Sequence, residues 1–342
     1  MLDSLSEQVH GAEREQPAVL SDAVEFMLGD VRDERALERA LRGVDAVCHL
    51  AAMVGVGQSM YQVDEYTATN NLGTAMLLQR LIEKPVERLV VASSMSIYGE
   101  GLYTTPTGQV VSGSERLFEQ LKRHQWELTD DDGQLLTPIP TPESKTPSLS
   151  SVYALSKYDQ ERMCLLIGRA YNIPTVALRF FNVYGPYQAL SNPYTGVLAI
   201  FASRLLNNNR PMIFEDGNQR RDFVSVHDIA QACCLALANE APAGEVFNIG
   251  SGENVTVREV AQQVAASVGK EHIEPEITGK YRVGDIRHCF ADISKARRML
   301  GYEPRVRFKD GLTELAEWLE GEAAEDKVDQ AGAELAARGL TV

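Results

Sequence analysis

Val90-Val91-Ala92-Ser93-Ser94-Met95-Ser96-Ile97-Tyr98-Gly99 is an apolar, partly β-branched run that ends in a cluster of hydroxyls. Such a run reads as a buried strand of a parallel sheet. In open parallel sheets ligands sit beyond the carboxyl ends of the strands, so Ser93, Ser94 and Ser96 are delivered to that rim. Taken alone, the serines could equally close a strand-end turn. Outward from this stretch, short apolar runs at 24–28, 46–50, 88–92 and 175–180 alternate with helical periodicity at 34–41, 64–83 and 152–171. Strands alternating with helices long enough to cross back over a sheet predict an α/β fold, a doubly wound parallel sheet with right-handed crossovers.

After Gly185 the pattern loosens. Short strands at 212–214 and 222–226 and helices at 227–238 and 257–268 predict a smaller lobe interleaved with the last strands of the sheet. The expected organisation is a first domain over 1–185, a second lobe over 186–320 from which 222–250 returns to the sheet, and a polar tail over 321–342, read as a solvated helix or a disordered end. Residues 101–143 interrupt the alternation with Trp126, Asp130-Asp131-Asp132 and several prolines. A connection this long covers a site or is disordered; Trp126 and Leu117 favour an ordered lid.

The chain has 342 residues and a formal net charge of -15, a field that repels nucleic acid and anionic membranes. Its five cysteines, Cys48, Cys164, Cys233, Cys234 and Cys289, form no C-x-x-C pair and have no histidine at metal-ligand spacing, so reduced core thiols and no metal are expected. No apolar run is long enough to span a membrane and the acidic N-terminus has no signal-peptide core, so a cytoplasmic location is expected.

Tyr153-Ala154-Leu155-Ser156-Lys157 is a Y-x-x-x-K inside a helical segment, which places both side chains on one face a turn apart. An ammonium beside a phenol favours the phenolate, lowering a pKa of about 10 toward the working pH. A tyrosinate can then take a proton from a substrate hydroxyl. An isolated pair of this kind also arises where a surface lysine neighbours a half-buried tyrosine; the serine-bearing strand end supplies the context that favours chemistry.

With these two elements the chain resembles the extended short-chain dehydrogenase/reductases, in the branch of NAD-dependent nucleotide-sugar epimerases and dehydratases. The resemblance runs to about residue 320. It is carried by Leu2-Asp3, Gly29-Asp30-Val31, His49-Leu50-Ala51-Ala52, the N-x-x-G-T run from Asn70 to Thr74, the serine segment, Tyr153 with Lys157, Leu178-Arg179-Phe180-Phe181-Asn182-Val183-Tyr184-Gly185-Pro186, Arg220-Arg221-Asp222-Phe223, Val226-His227-Asp228, Asn248-Ile249-Gly250 and Arg282-Val283-Gly284-Asp285. It implies a Rossmann-like first domain that binds NAD and a second lobe that binds the substrate. Asp3 would accept hydrogen bonds from the adenosine ribose and so exclude the 2'-phosphorylated cofactor. Asp30 and Val31 would flank the adenine; Leu50, Ala51, Ala52, Asn70 and Ser93 would line the cofactor path; Lys157 would hold the nicotinamide ribose. Ser96 and Asn182 would contact the substrate, and Arg221 and Arg282, with Asp285, would grip its diphosphate.

In the implied mechanism Tyr153 removes the proton from the sugar O4, NAD takes the C4 hydride, and Ser94 hydrogen-bonds the developing carbonyl, giving a 4-keto sugar. Dehydratases of the family carry an Asp-Glu pair just after the catalytic hydroxyl residue; Met95 and Ser96 stand there, and neither shuttles a proton at neutral pH, which favours a 4-epimerase. Residues 188–197, the 101–143 segment and the Ala-rich tail look most like dTDP-L-rhamnose 4-epimerases, with UDP-glucose 4-epimerases next. The family's first strand and G-x-x-G-x-x-G turn have no counterpart, so one β-α unit of roughly 30 residues is expected upstream of Met1. A 4-reductase or dehydrogenase, a 4,6-dehydratase, a non-catalytic NAD-binding protein and an inactive truncated product stay open. The expected partners are a dTDP- or UDP-linked sugar and, through helices 64–83 and 152–171, a second copy of the chain in a homodimer.

Overall fold

A computed structural model describes residues 1–17, 19–189, 196–238, 243–282, 284–319 and 328–341. They pack as two compact units: Met1–Ser94 with Ser151–Arg179 and Cys233–Val246, and Met95–Ser150 with Phe180–Ala232 and Phe247–Val342. These divisions cut the chain differently from the motif-based bounds. Residues 95–150, the 101–143 segment included, pack within the second unit, and only 233–246 of the returning segment packs within the first.

In the first unit the strand Arg88–Ser94 is buried at every residue, as its unbroken apolar run requires. Ala46–His49 pairs with it in parallel, from Ala46 opposite Arg88 to His49 opposite Val91. Thr175–Phe180 flanks its other side, and beyond that Ala177 N–H donates to Glu245 O at 3.0 Å. Leu2–Asp3 and Met27–Leu28 form a separate parallel ribbon; the strand expected at 24–28 is only its last two residues. One face of the sheet is filled by Leu37, Leu77, Leu78, Leu81, Leu89, Val91, Cys164, Ile173 and Ala177, each large aliphatic worth about 1.5–3 kcal/mol when taken from water. The thiols differ in setting: Cys164 and Cys289 are buried, Cys48 and Cys233 half-buried, and Cys234 exposed.

Three helices carry the crossovers. Glu34–Ala40 starts on Asp33, whose side chain accepts from Arg35 N–H and Ala36 N–H, a cap worth about 1 kcal/mol. Val152–Ala170 starts on Ser151, whose hydroxyl oxygen accepts from Ala154 N–H. The helix expected at 64–83 runs from Val63 to Glu83 but widens to π geometry over Thr67–Leu72. Gly73 follows the widened turn, where a Cβ would lie 2.6 Å from Val31 Cγ2. Glycine is thus required by the close approach of that helix to the loop after Leu28.

The second unit holds an antiparallel three-stranded sheet in which Leu102–Thr104 lies between Val110–Ser112 and Thr137–Ile139. The 101–143 segment is therefore ordered, with Trp126 buried; Leu117, expected to pack, is 74% exposed. Phe223–Ser225 pairs in parallel with Asn182–Tyr184, and Arg220–Arg221 lies between Val255–Thr256 and His288–Cys289. Leu198, Phe201, Leu205, Val260, Val264, Leu312, Leu315 and Leu319 form its main core. Residues 190–195, most of the stretch at 188–197, lie outside the described residues, as do 321–327 and 342 of the tail. Its remaining helix, Val328–Ala337, buries Ala331 and Leu335, so one face is packed rather than wholly solvated. No helix among the described residues is long and apolar enough to cross a membrane.

Candidate active site

Along Val152–Ala170, Tyr153, Lys157, Gln160, Glu161, Cys164 and Gly168 recur at helical spacing and are all buried, so this face lies against the sheet. The approach is close: a Cβ on Gly168 would sit 2.1 Å from Thr175 Oγ1. Tyr153 is clamped from three sides. Its N–H donates to Ser59 Oγ at 3.0 Å, its ring meets Tyr66 edge-on at 6.4 Å, and its hydroxyl is hydrogen-bonded to Ser94. The structure thus unites the strand-end serine with the helical tyrosine.

The relation between Tyr153 and Lys157 differs from the expected one. Burial pushes the phenol above its ordinary pKa, opposed by the Ser94 hydrogen bond. The Lys157 ammonium donates to Gln160 Oε1 at 2.7 Å, and burial pulls it down to about 8. Lys157 therefore does not hold the phenol low here: desolvation dominates at Tyr153, and the ammonium is turned to Gln160. Behind that amide lies a buried polar chain. Gln160 Nε2 donates to Thr74 Oγ1 at 2.8 Å and to Ala51 O at 3.3 Å, Thr74 donates to Asn70 O at 2.6 Å, and His49 Nε2 meets Thr74 Oγ1 at 2.8 Å. Burial keeps His49 neutral, its pKa near 3.

Two of the residues assigned to the cofactor path prove to be engaged with protein. Asn70 accepts from Met53 N–H at 2.7 Å and donates to Met53 O and Ser156 Oγ at 3.0 and 2.9 Å, which latches the loop after Ala46–His49. Ser93 donates to Glu161 Oε2 at 2.6 Å, and that carboxylate takes two hydrogen bonds from Arg179, at 2.9 and 2.7 Å. Asp3 accepts from Leu5 N–H at 2.8 Å. The Asp30 carboxylate is forked by Arg32 at 3.0 and 2.7 Å, which holds it below the usual range despite partial burial. Val31, Ala51 and Ala52 are half-buried and Leu50 is exposed.

Within the second unit Ser96 is buried in the single turn Met95–Tyr98. Asn182 donates its N–H to Asp222 O at 3.0 Å, while its side-chain oxygen is buried without a hydrogen bond. Arg221 spends its guanidinium on main-chain carbonyls of Ile286 and of Arg287, the latter at 2.9 Å, with the Asp285 carboxylate 3.9 Å away. Arg282 lies 4.4 Å over the Phe214 ring, and its Nε is buried without a hydrogen bond. Arg282 and Asn182 thus keep unspent polar atoms. The loop bearing Arg282 is braced by the inserted segment: Trp126 and Leu121 pack on Tyr281, Arg287 pairs with Glu127, Glu215 and Asp216, and Arg116 donates to Asp285 O at 3.0 Å.

No role was read for Gln160 or Glu161, and His49, Thr74 and Arg179 stood only as motif positions. The one signal was helical spacing, since 153, 157, 160, 161 and 164 share a face. The arrangement suits a dinucleotide. A buried ammonium carries three donors, and among the described residues Gln160 is its one hydrogen-bond acceptor, which leaves two for a ribose diol beside the Tyr153 hydroxyl.

Comparisons with known proteins show the family. The profile of the NAD dependent epimerase/dehydratase family matches residues 1–120 and 132–250. The chain is 34% identical to a dTDP-L-rhamnose 4-epimerase of Burkholderia thailandensis, over 93% of this chain and 87% of that protein. Among solved structures it is similar to the UDP-glucose 4-epimerase of Thermotoga maritima with UDP-glucose, at 28% identity and a TM-score of 0.73 over 93% of this chain and 89% of that one. The UDP-glucose 4-epimerase of Thermus thermophilus in complex with NAD gives 29% identity and a TM-score of 0.71 over 94% and 91%. A buried Tyr153–Ser94 pair, Lys157 on the same helix face and a parallel sheet beneath them are thus accompanied by a match across most of the chain, and the chain belongs to the NAD dependent epimerase/dehydratase family.

Proposed function

We propose that this protein inverts the configuration at C4 of a nucleotide-diphosphate sugar through a transient 4-keto intermediate. The observation that carries the reading is the buried hydrogen bond between the Tyr153 hydroxyl and Ser94, with Lys157 one turn further along the same helix face. Tyr153, in its phenolate form, would take the proton from O4, Ser94 would donate to the oxygen as it becomes a carbonyl, and Lys157 would hold the nicotinamide ribose. Bound NAD would supply the acceptor for the C4 hydride and the means of its return. Asp3, Asp30, Val31, Leu50, Ala51 and Ala52 are assigned to the cofactor's adenosine side and path. Asn70 and Ser93 act on it indirectly, by fixing the loop and helix around it. Asn182 and Arg282 are assigned to the substrate with Ser96, and Arg221 and Asp285 set the loop that carries Arg282. Met95 and Ser96, in place of an acid pair, favour epimerisation over loss of water.

A dTDP-linked 6-deoxyhexose is the first substrate to try, since the relative at 34% identity is a dTDP-L-rhamnose 4-epimerase; UDP-glucose is the second. A homodimer is supported by Leu72, Leu155 and Leu166, which stand 52%, 46% and 46% exposed on the two helices assigned to its interface; sedimentation tests it. The decisive experiment incubates the protein with dTDP- and UDP-sugars and follows C4 inversion by NMR, with Tyr153→Phe in parallel. Inversion that falls at least about a hundredfold in the variant supports the reading. An unchanged rate removes Tyr153 as base, and stoichiometric NADH release makes the enzyme a dehydrogenase.

A further inference from the structure

We infer that Gln160 is a positioning residue that holds the Lys157 side chain through an uncharged acceptor, so that the ammonium stays fixed while its charge remains available to the cofactor ribose. The inference rests on the proposed function and deepens it. Bond accounting in the buried chain fixes the amide. The Thr74 hydroxyl gives its one hydrogen to Asn70 O at 2.6 Å, so it can only accept from its other neighbours. It accepts from His49 Nε2 at 2.8 Å, which places the proton of the neutral imidazole on that nitrogen, and from Gln160 Nε2 at 2.8 Å. The second amide hydrogen has Ala51 O and His49 Nε2 each 3.3 Å away, and with the imidazole proton on Nε2 only Ala51 O can accept it. With its nitrogen thus committed, Gln160 can present only Oε1 to Lys157, at 2.7 Å. Gln160 is 1% exposed and Lys157 3%, so both side chains are buried.

The charges that face the ammonium are few. His49 on the neighbouring strand is neutral; Tyr153 and Cys164 on the same helix are neutral near pH 7, burial holding both above their ordinary values; Glu161 is committed to Arg179 and Ser93. An amide oxygen in this setting stabilises the ammonium by a charge-assisted hydrogen bond without cancelling its field. A carboxylate at the same point would pair with it and neutralise the site. An apolar side chain of equal length would leave it desolvated with no acceptor, and it would lose its proton more readily.

Gln160→Met and Gln160→Glu keep the length of the side chain and separate these cases. The measurement is NADH affinity by fluorescence titration from pH 6 to 10, alongside thermal unfolding of each protein. The wild-type affinity is expected to fall as Lys157 deprotonates, with a midpoint near 8. The midpoint should move down by about one pH unit in Gln160→Met and up by about one unit in Gln160→Glu. Opposite shifts support the assignment, because a side chain that only fills space would move both variants alike. Shifts in one direction, or three equal midpoints, overturn it and leave the epimerase reading intact. A wild-type protein that binds no NADH at any pH overturns both.

Discussion

Glu161→Gln should weaken the first unit more than any other single-atom-scale change in the site helix. Glu161 is fully buried and receives Arg179 in a two-point contact at 2.9 and 2.7 Å, with the Arg179 side chain 6% exposed. Ser93 adds a third hydrogen bond at 2.6 Å. Removing one partner of a buried pair costs about 3–5 kcal/mol, because the remaining charge keeps its desolvation penalty and loses its compensation. A glutamine keeps one acceptor oxygen, whose two lone pairs can still serve Ser93 and Arg179 Nε, so the low end, about 3 kcal/mol, is expected. Against a total stability of about 5–15 kcal/mol this is large, and it should appear as a fall of roughly 10 °C in the first thermal transition. Urea unfolding followed by tyrosine and tryptophan fluorescence measures it. The double variant Glu161→Leu with Arg179→Met removes both charges and should recover most of the loss, as buried pairs replaced by apolar groups often do. A glutamine variant within about 1 kcal/mol of wild type, or a double variant no better than the single one, would refute the argument that uncompensated charge is what costs.

His49 has a folded pKa near 3 against an ordinary 6.5, so the unfolded chain binds the extra proton and stability should drop as pH falls from about 6.5 toward 3, by up to about 1.36 kcal/mol per unit; His49→Gln should flatten that slope in acid unfolding curves. Gly168→Ala brings a methyl to 2.1 Å from Thr175 Oγ1 and 2.8 Å from Ile173 O, so the helix must lift from the strand, at a cost of about 1–3 kcal/mol in urea unfolding. Arg282→Ala should raise KM for the nucleotide sugar at least tenfold with a smaller change in kcat, since a charge-assisted hydrogen bond is worth about 1.5–3 kcal/mol; an unchanged KM would remove Arg282 from the diphosphate site.

Ser94, Tyr153 and Lys157 were legible because each sits where a local pattern points: a strand end, and two positions one turn apart on one helix. Arg88–Ser94 and Thr175–Phe180 were legible for the same reason, being continuous buried runs. The polar chain behind Lys157 was not, because Gln160 and Thr74 are 86 residues apart and a hydrogen bond between distant polar side chains leaves no periodicity. The expected lowering of the Tyr153 pKa failed for a related reason: spacing shows that an ammonium is near, whereas the degree of burial and the direction in which that ammonium is drawn are tertiary properties. Ser93 and Asn70 show the converse. Their motif positions drew them toward the cofactor, while the structure spends their polar atoms on Glu161, Met53 and Ser156.

The widened turn at Thr67–Leu72 makes the site vulnerable to a kind of change that composition would not reveal. Loss of any one residue there would let the helix relax into ordinary α geometry, locally the better-bonded state. It would also swing every preceding side chain by about 100° relative to those that follow. Asn70 could then no longer reach both Met53 and Ser156, and the loop behind Ala51 would come unhooked without a single core residue having been altered. Residue count along this helix, more than residue identity, keeps the floor of the site in register.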